Sequence, residues 1–323
     1  MRVDIGRRQA NPLNESESAH CSRFRVGGVS VALMGECGTD VTLVPNLLPF
    51  RADTDFSDIS ISVAWAGKLP PARGRRLFDS GSVWKLFECE EGFQFDFSTP
   101  ALGKLPYKRL IVDEQVRRAQ LLLSRECFEN RNAAFPLEYP LDEVLITHRL
   151  AHERAIELHG CGIIGPGGAS NLFVGHSGAG KSTTARLWSA REGVEVLSDD
   201  RIILRQSLVR RDAVCSDAVR GESGQVVMYG TPWHGEAAFA SPTSAPLARI
   251  LFLEHGRGNV LTRLSPSQAV ANLFARSFVP FHRHEYVSSA LEFLQDVADT
   301  VPCYRYSFEP DERAVERILG FRD

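Results

Sequence analysis

Residues 175–182, GHSGAGKS, decide how this chain is interpreted, because they fit the pattern G-x-x-x-x-G-K-[ST] at every fixed position. Glycines let such a segment bend so that successive backbone N–H groups converge on phosphate oxygens. The apolar run 171–174 leads into the segment as a strand, and residues 183–188 leave it as a helix. The positive N-terminal end of that helix would face the same anion. The sequence therefore predicts a nucleotide-binding loop.

We expect this loop to hold ATP together with Mg²⁺. Lys181 would reach the β- and γ-phosphates, and the hydroxyl of Ser182 would ligate the metal. Lys181 is also the only lysine after Lys108 in a chain that otherwise uses arginine there. The residues expected to contact the nucleotide are Gly175, His176, Ser177, Gly178, Ala179, Gly180, Lys181, Ser182 and Thr183.

A pair of carboxylates follows, where VEVLSDD ends in Asp199 and Asp200. An apolar strand that runs into a carboxylate, one helix after such a loop, is where a metal-binding Walker B aspartate would lie. Neighbouring residues at a strand end point in opposite directions, so the two aspartates need not share a role. One could hold Mg²⁺ through water while the other accepts the proton of an attacking hydroxyl. An ordinary surface turn is the competing interpretation.

The chain divides into three segments by composition and pattern. Residues 1–20 are polar and lack periodicity, which predicts a disordered leader. Short runs of β-branched and aromatic residues predict a β-rich N-terminal module over residues 21–140. Residues 141–323 are expected to form an α/β domain around a mixed sheet that carries the loop.

Periodicity predicts helices on either side of the boundary near Pro140. One covers residues 114–128, EQVRRAQLLLSRECF, and the second covers residues 141–158, LDEVLITHRLAHERAIEL. Two apolar runs around the turn GPGG predict a β-hairpin that leads into the nucleotide-binding loop. Ser265 and Gln268 form the pattern of a capping box at the start of a later helix.

Bulk composition excludes several classes of protein. The net charge is −3 and no basic block occurs, which argues against a nucleic-acid partner. No segment approaches the roughly 18 apolar residues of a membrane span, and the first residues lack the apolar core of a signal peptide. The seven cysteines form no C-x-x-C pair, so neither a disulfide framework nor a structural zinc site is expected. These features predict a cytoplasmic protein without a membrane partner.

Two stretches together resemble a known family. LHGCGIIGPGGASNLFVGHSGAGKSTTARLW at residues 158–188, followed by VLSDDRIIL at residues 196–204, is similar to the catalytic domain of HPr serine kinase/phosphorylases. It also resembles HPr-kinase-like proteins that phosphorylate ribosomally made peptides such as lasso-peptide precursors. ATP-dependent phosphoenolpyruvate carboxykinases share a comparable loop followed by an aspartate pair. The resemblance covers roughly residues 140–323 and implies a P-loop mixed sheet of the HPr kinase C-terminal and carboxykinase type.

The resemblance also implies roles for single residues. Ser182 and one aspartate would hold Mg²⁺, and the other aspartate would act as the base toward a serine hydroxyl, with Asp200 favoured as the ligand and Asp199 as the base. His159 would lie near the transferred phosphoryl group. His176 and Thr183 stand where HPr kinases usually carry acidic residues. That difference, and the lack of a match to the family's HPr-contacting loop, count against HPr itself as the substrate and against reverse phosphorylase activity.

Further downstream, GTPWHGE at residues 230–236 could form a substrate loop through His234 and Glu236, or a plain loop anchored by a buried Trp233. Other histidines are expected to have no metal role: His148 on a helix surface or domain interface, and His282 in a solvated loop.

The function expected from all this is transfer of phosphoryl from ATP to a serine of a peptide or small protein. Two alternatives remain open. One is a small-molecule enzyme of the carboxykinase type, although no lysine besides Lys181 is available in the catalytic segment. The other is a nucleotide-binding regulatory module without transfer activity. The sequence leaves open whether the chain forms a homo-oligomer.

Overall fold

The structure, a computed structural model, describes residues 21–36, 39–128, 135–207 and 224–322. The segment predicted to be a disordered leader, together with Cys37 and Cys215, lies outside these residues. The five cysteines within them are all free thiols. The chain is a mixed α/β protein built on two mixed β-sheets.

The first sheet comes from the N-terminal half of the chain. Its strands are β1 (Cys21–Val26), β2 (Val29–Gly35), β3 (Ile59–Ala66), β4 (Arg76–Asp79), β5 (Trp84–Cys89), β6 (Gly92–Phe97), β7 (Lys108–Val112) and β8 (Arg118–Ser124). Their order is β1-β2-β3-β8-β7-β6-β5-β4. Strand β3 is parallel to both of its neighbours, and the other pairs are antiparallel. The expected β-rich character of this segment is therefore confirmed.

A hydrophobic core covers one face of this sheet. Alternation along ISISVAWA buries Ile59, Ile61 and Val63, as expected when one face of a strand meets the core. Two helices follow the sheet, α1 (Arg125–Phe128) and α2 (Leu141–Leu150). Helix α2 contributes apolar side chains, including Leu145, to this first core.

The second sheet contains the remaining strands. They are β9 (Ala155–Ile164), β10 (Ser170–Val174), β11 (Glu195–Ser198), β12 (Arg201–Gln206), β13 (Val226–Tyr229), β14 (Ser244–Pro246), β15 (Arg249–His255), β16 (Val260–Arg263), β17 (Ser277–Phe278) and β18 (Cys303–Phe308). The main path is β14-β13-β12-β9-β10-β15-β18-β16, and β11 and β17 also pair with β9. Strands β10, β15 and β18 run parallel, and β9–β10 is the predicted antiparallel hairpin.

Strand β9 organises this sheet because its two halves have different neighbours. Residues 155–159 lie between β12 and β17, and residues 160–164 lie between β10 and β11. The later helices are α3 (Lys181–Ser189), α4 (Pro266–Phe274), α5 (His284–Thr300) and α6 (Glu312–Leu319). Residues of α4 and α5 pack with one face of the sheet, and residues of α3 and α6 pack with the other.

Local signals for the helices of the second half are confirmed. Lys181 begins α3 directly after the glycine-rich loop. The capping box before α4 is present, with Ser265 Oγ accepting from the Gln268 N–H and Gln268 Oε1 accepting from the Ser265 N–H at 3.1 Å. In the part of the chain that the structure describes, no helix is long and apolar enough to span a membrane.

Two helix predictions are wrong. Residues 118–124, expected inside a helix, form β8 between β3 and β7, and only Arg125–Phe128 are helical. The helix expected over residues 141–158 ends at Leu150, and Ala155 already begins β9. In both cases pairing with neighbouring strands overrides the helical periodicity of the segment. His282 is not in a solvated loop either, since its ring stacks on His148 with centroids 5.3 Å apart.

Candidate functional site

The glycine-rich loop, residues 175–180, connects β10 to α3 at one end of the second sheet. Gly178 and Gly180 have φ angles of 81° and 105°, a region that only glycine occupies without strain. Space is a second restriction, because a Cβ on Gly180 would lie 2.6 Å from the ring of Phe308. The loop conformation therefore depends on its glycines. The loop in turn sets where α3 begins, at the end of β10.

Lys181 is folded back over this loop. Its side chain is buried, and Nζ donates hydrogen bonds to the carbonyl oxygens of Gly175 at 3.0 Å and His176 at 3.1 Å. An ammonium group has three donors, so one remains for another acceptor. Burial lowers the pKa of Lys181, although the nearby charge of Asp200 acts in the opposite direction.

Asp199 is held beneath the loop by four donors. Ser182 Oγ donates to its Oδ2 at 3.1 Å, and the backbone N–H groups of Gly235, Ala237 and Phe239 donate at 3.0, 3.0 and 3.3 Å. The residue is 1% exposed. A carboxylate that accepts from several fixed donors is held in one position. Asp199 is thus fixed directly beside the Ser182 hydroxyl.

Asp200 faces the other way and has different partners. His159 Nε2 donates to Oδ1 of Asp200 at 2.8 Å, and the guanidinium group of Arg201 contacts Oδ2. Burial works to raise the pKa of Asp200, but the hydrogen bond from His159 and the charges of Arg201 and Lys181 outweigh it and hold the pKa below its usual range. Asp200 is therefore ionised at neutral pH and open to the cleft.

The first two residues of α2 bind Trp233, which precedes the loop that holds Asp199, and Arg201, which contacts Asp200. Asp142 Oδ2 accepts a hydrogen bond of 3.0 Å from the indole of Trp233, just before the loop that binds Asp199. Glu143 Oε1 accepts a hydrogen bond of 2.7 Å from Arg201 Nε. Burial raises the pKa of Asp142 to about 6, despite the hydrogen bond from Trp233. Helix α2 is in this way connected to each member of the carboxylate pair.

A cleft of about 370 Å³ lies where these groups meet. It is bordered on one side by the loop and by Arg186 of α3, and on the other by Asp200 and Gly235. The predicted site residues that line it are His159, Ser177, Gly178, Gly180, Lys181, Ser182, Thr183, Asp200 and Glu236.

The remaining predicted residues do not line the cleft. Asp199 lies behind Ser182, Gly175 and Ala179 are buried in the loop, and His176 is exposed. His234 is exposed, and its Nδ1 donates to the Gly235 carbonyl oxygen at 3.1 Å within its own loop. Trp233 is buried, as one of the two interpretations of this loop expected.

Several site residues were not identified from sequence. Asp142 and Glu143 carry no motif, and acidic residues in the first turn of a helix are common for reasons of the helix dipole alone. His255 is a third case, since its Nε2 donates to the carbonyl oxygen of Gly178 at 2.9 Å. Arg201 directly follows the aspartate pair in sequence, a position that indicates either a charge near the transferred phosphoryl group or an ordinary charged strand face.

The donors at this site fit a small hard cation bound together with phosphate. Mg²⁺ is usually held by one or two oxygen side chains plus phosphate oxygens and water. Ser182 offers a hydroxyl at the cleft, and the Asp199 carboxylate lies directly behind it. Within the described residues, no group of three or more His, Cys, Asp or Glu side chains is arranged to hold a metal without such a partner.

Comparison with known proteins adds no family assignment. No protein-family model matches the chain, and no curated protein matches it. What the site does is therefore inferred from its geometry and from the motifs at residues 158–188 and 196–204.

Proposed function

We propose that this chain binds ATP with Mg²⁺ in the cleft and transfers the γ-phosphoryl group to a serine hydroxyl of a peptide or small protein. The observation that carries the proposal is the arrangement of two carboxylates around one loop. Asp199 is fixed beside Ser182, and Asp200 opens into the same cleft beside Lys181. The proposal includes a P-loop kinase domain similar to that of HPr kinases and phosphoenolpyruvate carboxykinases.

The loop supplies the phosphate-binding half of the reaction. Backbone N–H groups at the start of α3 and the Lys181 ammonium group lie at one wall of the cleft, where they can bind phosphate oxygens. Mg²⁺, when bound, neutralises charge on the β- and γ-phosphates. Ser182 would hold that ion through its hydroxyl, and Asp199 would support it from behind, where it accepts the hydrogen bond of Ser182 and those of three backbone N–H groups.

The acceptor half is assigned to Asp200 and His159. Asp200 lines the cleft and is ionised, so it can orient an attacking hydroxyl and receive its proton. His159 fixes the carboxylate through its 2.8 Å hydrogen bond. This exchanges the roles that the family resemblance implied for Asp199 and Asp200, because the saturated, buried Asp199 is poorly placed to meet a substrate.

The direct test is incubation with γ-labelled ATP, Mg²⁺ and a library of serine-containing peptides. We expect the wild type to label some peptides, and Lys181→Ala and Asp200→Asn each to reduce the rate by about a hundredfold or more. Lys104→Ala, which changes an exposed lysine far from the loop in sequence, is the matched control and should behave as wild type.

Two outcomes would overturn the proposal. Label transfer that survives both Lys181→Ala and Asp200→Asn would show that these residues do not carry the chemistry. ATP binding without label on any peptide would instead favour the regulatory module.

A further inference from the structure

A second cavity, of about 320 Å³, lies between the first sheet, helix α2 and the segment 277–282. We call it the junction pocket. Its walls are mostly aromatic and aliphatic and include Phe78, Trp84, Tyr139, Val144, Phe278 and Phe281. Concave apolar sites of this size commonly hold a ligand group.

Exposed aromatic side chains are concentrated at this pocket. Nine large hydrophobic side chains are exposed in the described part of the chain, and three of them line it. These are Phe78 at 43%, Tyr139 at 60% and Phe281 at 63% exposure. A contiguous exposed apolar patch of this kind marks a binding surface more often than scattered exposed residues do.

The polar groups of the pocket are neutral or already paired. His148 and His282 stack on each other, and burial lowers the pKa of His148 to about 3 and that of His282 to about 4. The carboxylate of Glu143 is bound by Arg201. A charged ligand group would lose its hydration here without gaining a free counter-charge, whereas an apolar group would be accommodated.

The junction pocket borders the acceptor side of the candidate site at Phe278, which lines the pocket. The Phe278 ring lies 4.2 Å from the guanidinium carbon of Arg201, which contacts Asp200. The same ring lies 6.5 Å from the His159 ring, and Phe278 pairs with Glu157 on the strand that carries His159. One extended residue spans about 3.3–3.6 Å, so a peptide reaches from Asp200 into the pocket within about two residues.

We propose that the junction pocket binds an aromatic or branched aliphatic side chain of the acceptor peptide, one or two residues from the serine that is phosphorylated. This inference rests on the proposed function, because it takes Asp200 as the place where the serine is held. It narrows the substrate class to peptides with an apolar residue beside the serine.

The test measures binding rather than transfer. A capped Gly-Gly-Ser-Gly-Gly peptide carries Phe, Leu, Asp or Lys in turn at each position beside the serine, and affinity is measured by ligand-detected NMR without nucleotide. We expect Phe and Leu peptides to bind and Asp and Lys peptides not to bind. Phe281→Asp should weaken binding of the Phe peptides by about tenfold or more, because an apolar contact is replaced by a charge. Phe56→Asp is the matched control, since Phe56 is 66% exposed and does not line the pocket.

The outcomes separate this inference from the proposed kinase activity. No binding of any peptide, equal binding of all four substitutions, or unchanged binding to Phe281→Asp would overturn the junction pocket as an acceptor site. Concentration-dependent dimerisation of the wild type that Phe281→Asp abolishes would assign the surface to a second copy of the chain, and would overturn it as well. Selective binding with no phosphoryl transfer would sustain the pocket and overturn the kinase proposal alone.

Discussion

Trp233 donates a hydrogen bond of 3.0 Å from its indole Nε1 to Oδ2 of Asp142, a residue 91 positions earlier in the chain. Asp142 lies in α2, whose apolar side chains belong to the core of the first sheet. Trp233 precedes the loop whose N–H groups hold Asp199. The bond thus connects the packing of the first half of the chain to the geometry of the candidate site.

Removing this donor should weaken both stability and activity. Trp233→Phe keeps the aromatic packing but leaves the buried Asp142 carboxylate with one partner fewer, so we expect a loss of about 1–3 kcal/mol in the free energy of unfolding. We also expect a lower transfer rate, because the loop at residues 235–239 is then less well fixed. Urea unfolding and a labelling assay measure the two effects.

Trp65→Phe is the matched control for this change. Trp65 is half-buried, and its indole has no hydrogen-bond acceptor among the described residues. A loss in Trp233→Phe no larger than that in Trp65→Phe would contradict the role of the Asp142 bond.

Substituting the two aspartates should affect activity in different ways. Asp199→Asn removes the charge beside Ser182, so the Mg²⁺ concentration for half-maximal activity should rise about tenfold or more. Asp200→Asn removes the proposed base and should lower kcat by about a hundredfold or more, with little change in the Mg²⁺ requirement. Rates measured over a Mg²⁺ titration distinguish them. The reverse pattern would restore the roles implied by the family resemblance.

Position 180 requires glycine for two reasons: its φ angle is positive, and the Phe308 ring leaves no room for a Cβ. Gly180→Ala adds a Cβ 2.6 Å from the Phe308 ring at a φ of 105°, so the loop must shift, and ATP affinity should fall about tenfold or more. Gly167→Ala also has a positive φ, of 78°, but its Cβ would meet open space. This control should cost about 1 kcal/mol of stability and leave ATP binding intact. Equal ATP affinity in both variants would contradict the role assigned to Gly180.

Local signals were sufficient for much of the second half of the chain. The glycine-rich loop, the start of α3 at Lys181 and the capping box at Ser265 depend on residues a few positions apart. Residues 118–124 show where such signals fail. RAQLLLS is compatible with a helix by composition, and only hydrogen bonds to β3 and β7 on both sides make it a strand.

The same distinction applies to the candidate site. The carboxylate pair could be predicted from the sequence because it directly follows an apolar strand. The contacts of Asp142 and Glu143 could not. These residues meet Trp233 and Arg201 across 91 and 58 positions, and those contacts exist only after α2 has packed. Which aspartate lies next to Ser182 likewise depends on the loop at residues 235–239, which a sequence pattern does not place.

Acid should destabilise the fold through His148. Burial, with a smaller contribution from His282, lowers the pKa of His148 from 6.5 to about 3. The unfolded chain then binds the proton more readily than the folded chain, so stability present above pH 6.5 is lost as the pH falls toward 3. Between about pH 7.5 and about pH 5, this single group accounts for about 2 kcal/mol.

His148→Phe should remove that part of the pH dependence. Urea unfolding at the two pH values measures how far the free energy of unfolding falls between them. In His148→Phe this fall should be about 2 kcal/mol smaller than in the wild type, whatever the variant's absolute stability. His284→Phe replaces an exposed histidine and should keep the wild-type dependence. An unchanged pH dependence in His148→Phe would show that the ring is not held neutral.

The central claim is that the loop at residues 175–182 binds Mg²⁺-ATP through Lys181, and calorimetric titration of the full chain with Mg²⁺-ATP tests it most directly. We predict saturable binding with one site per chain in the wild type and in Lys104→Ala, weakened about a hundredfold or more in Lys181→Ala. No binding in the wild type, or equal affinity in Lys181→Ala, would contradict the account.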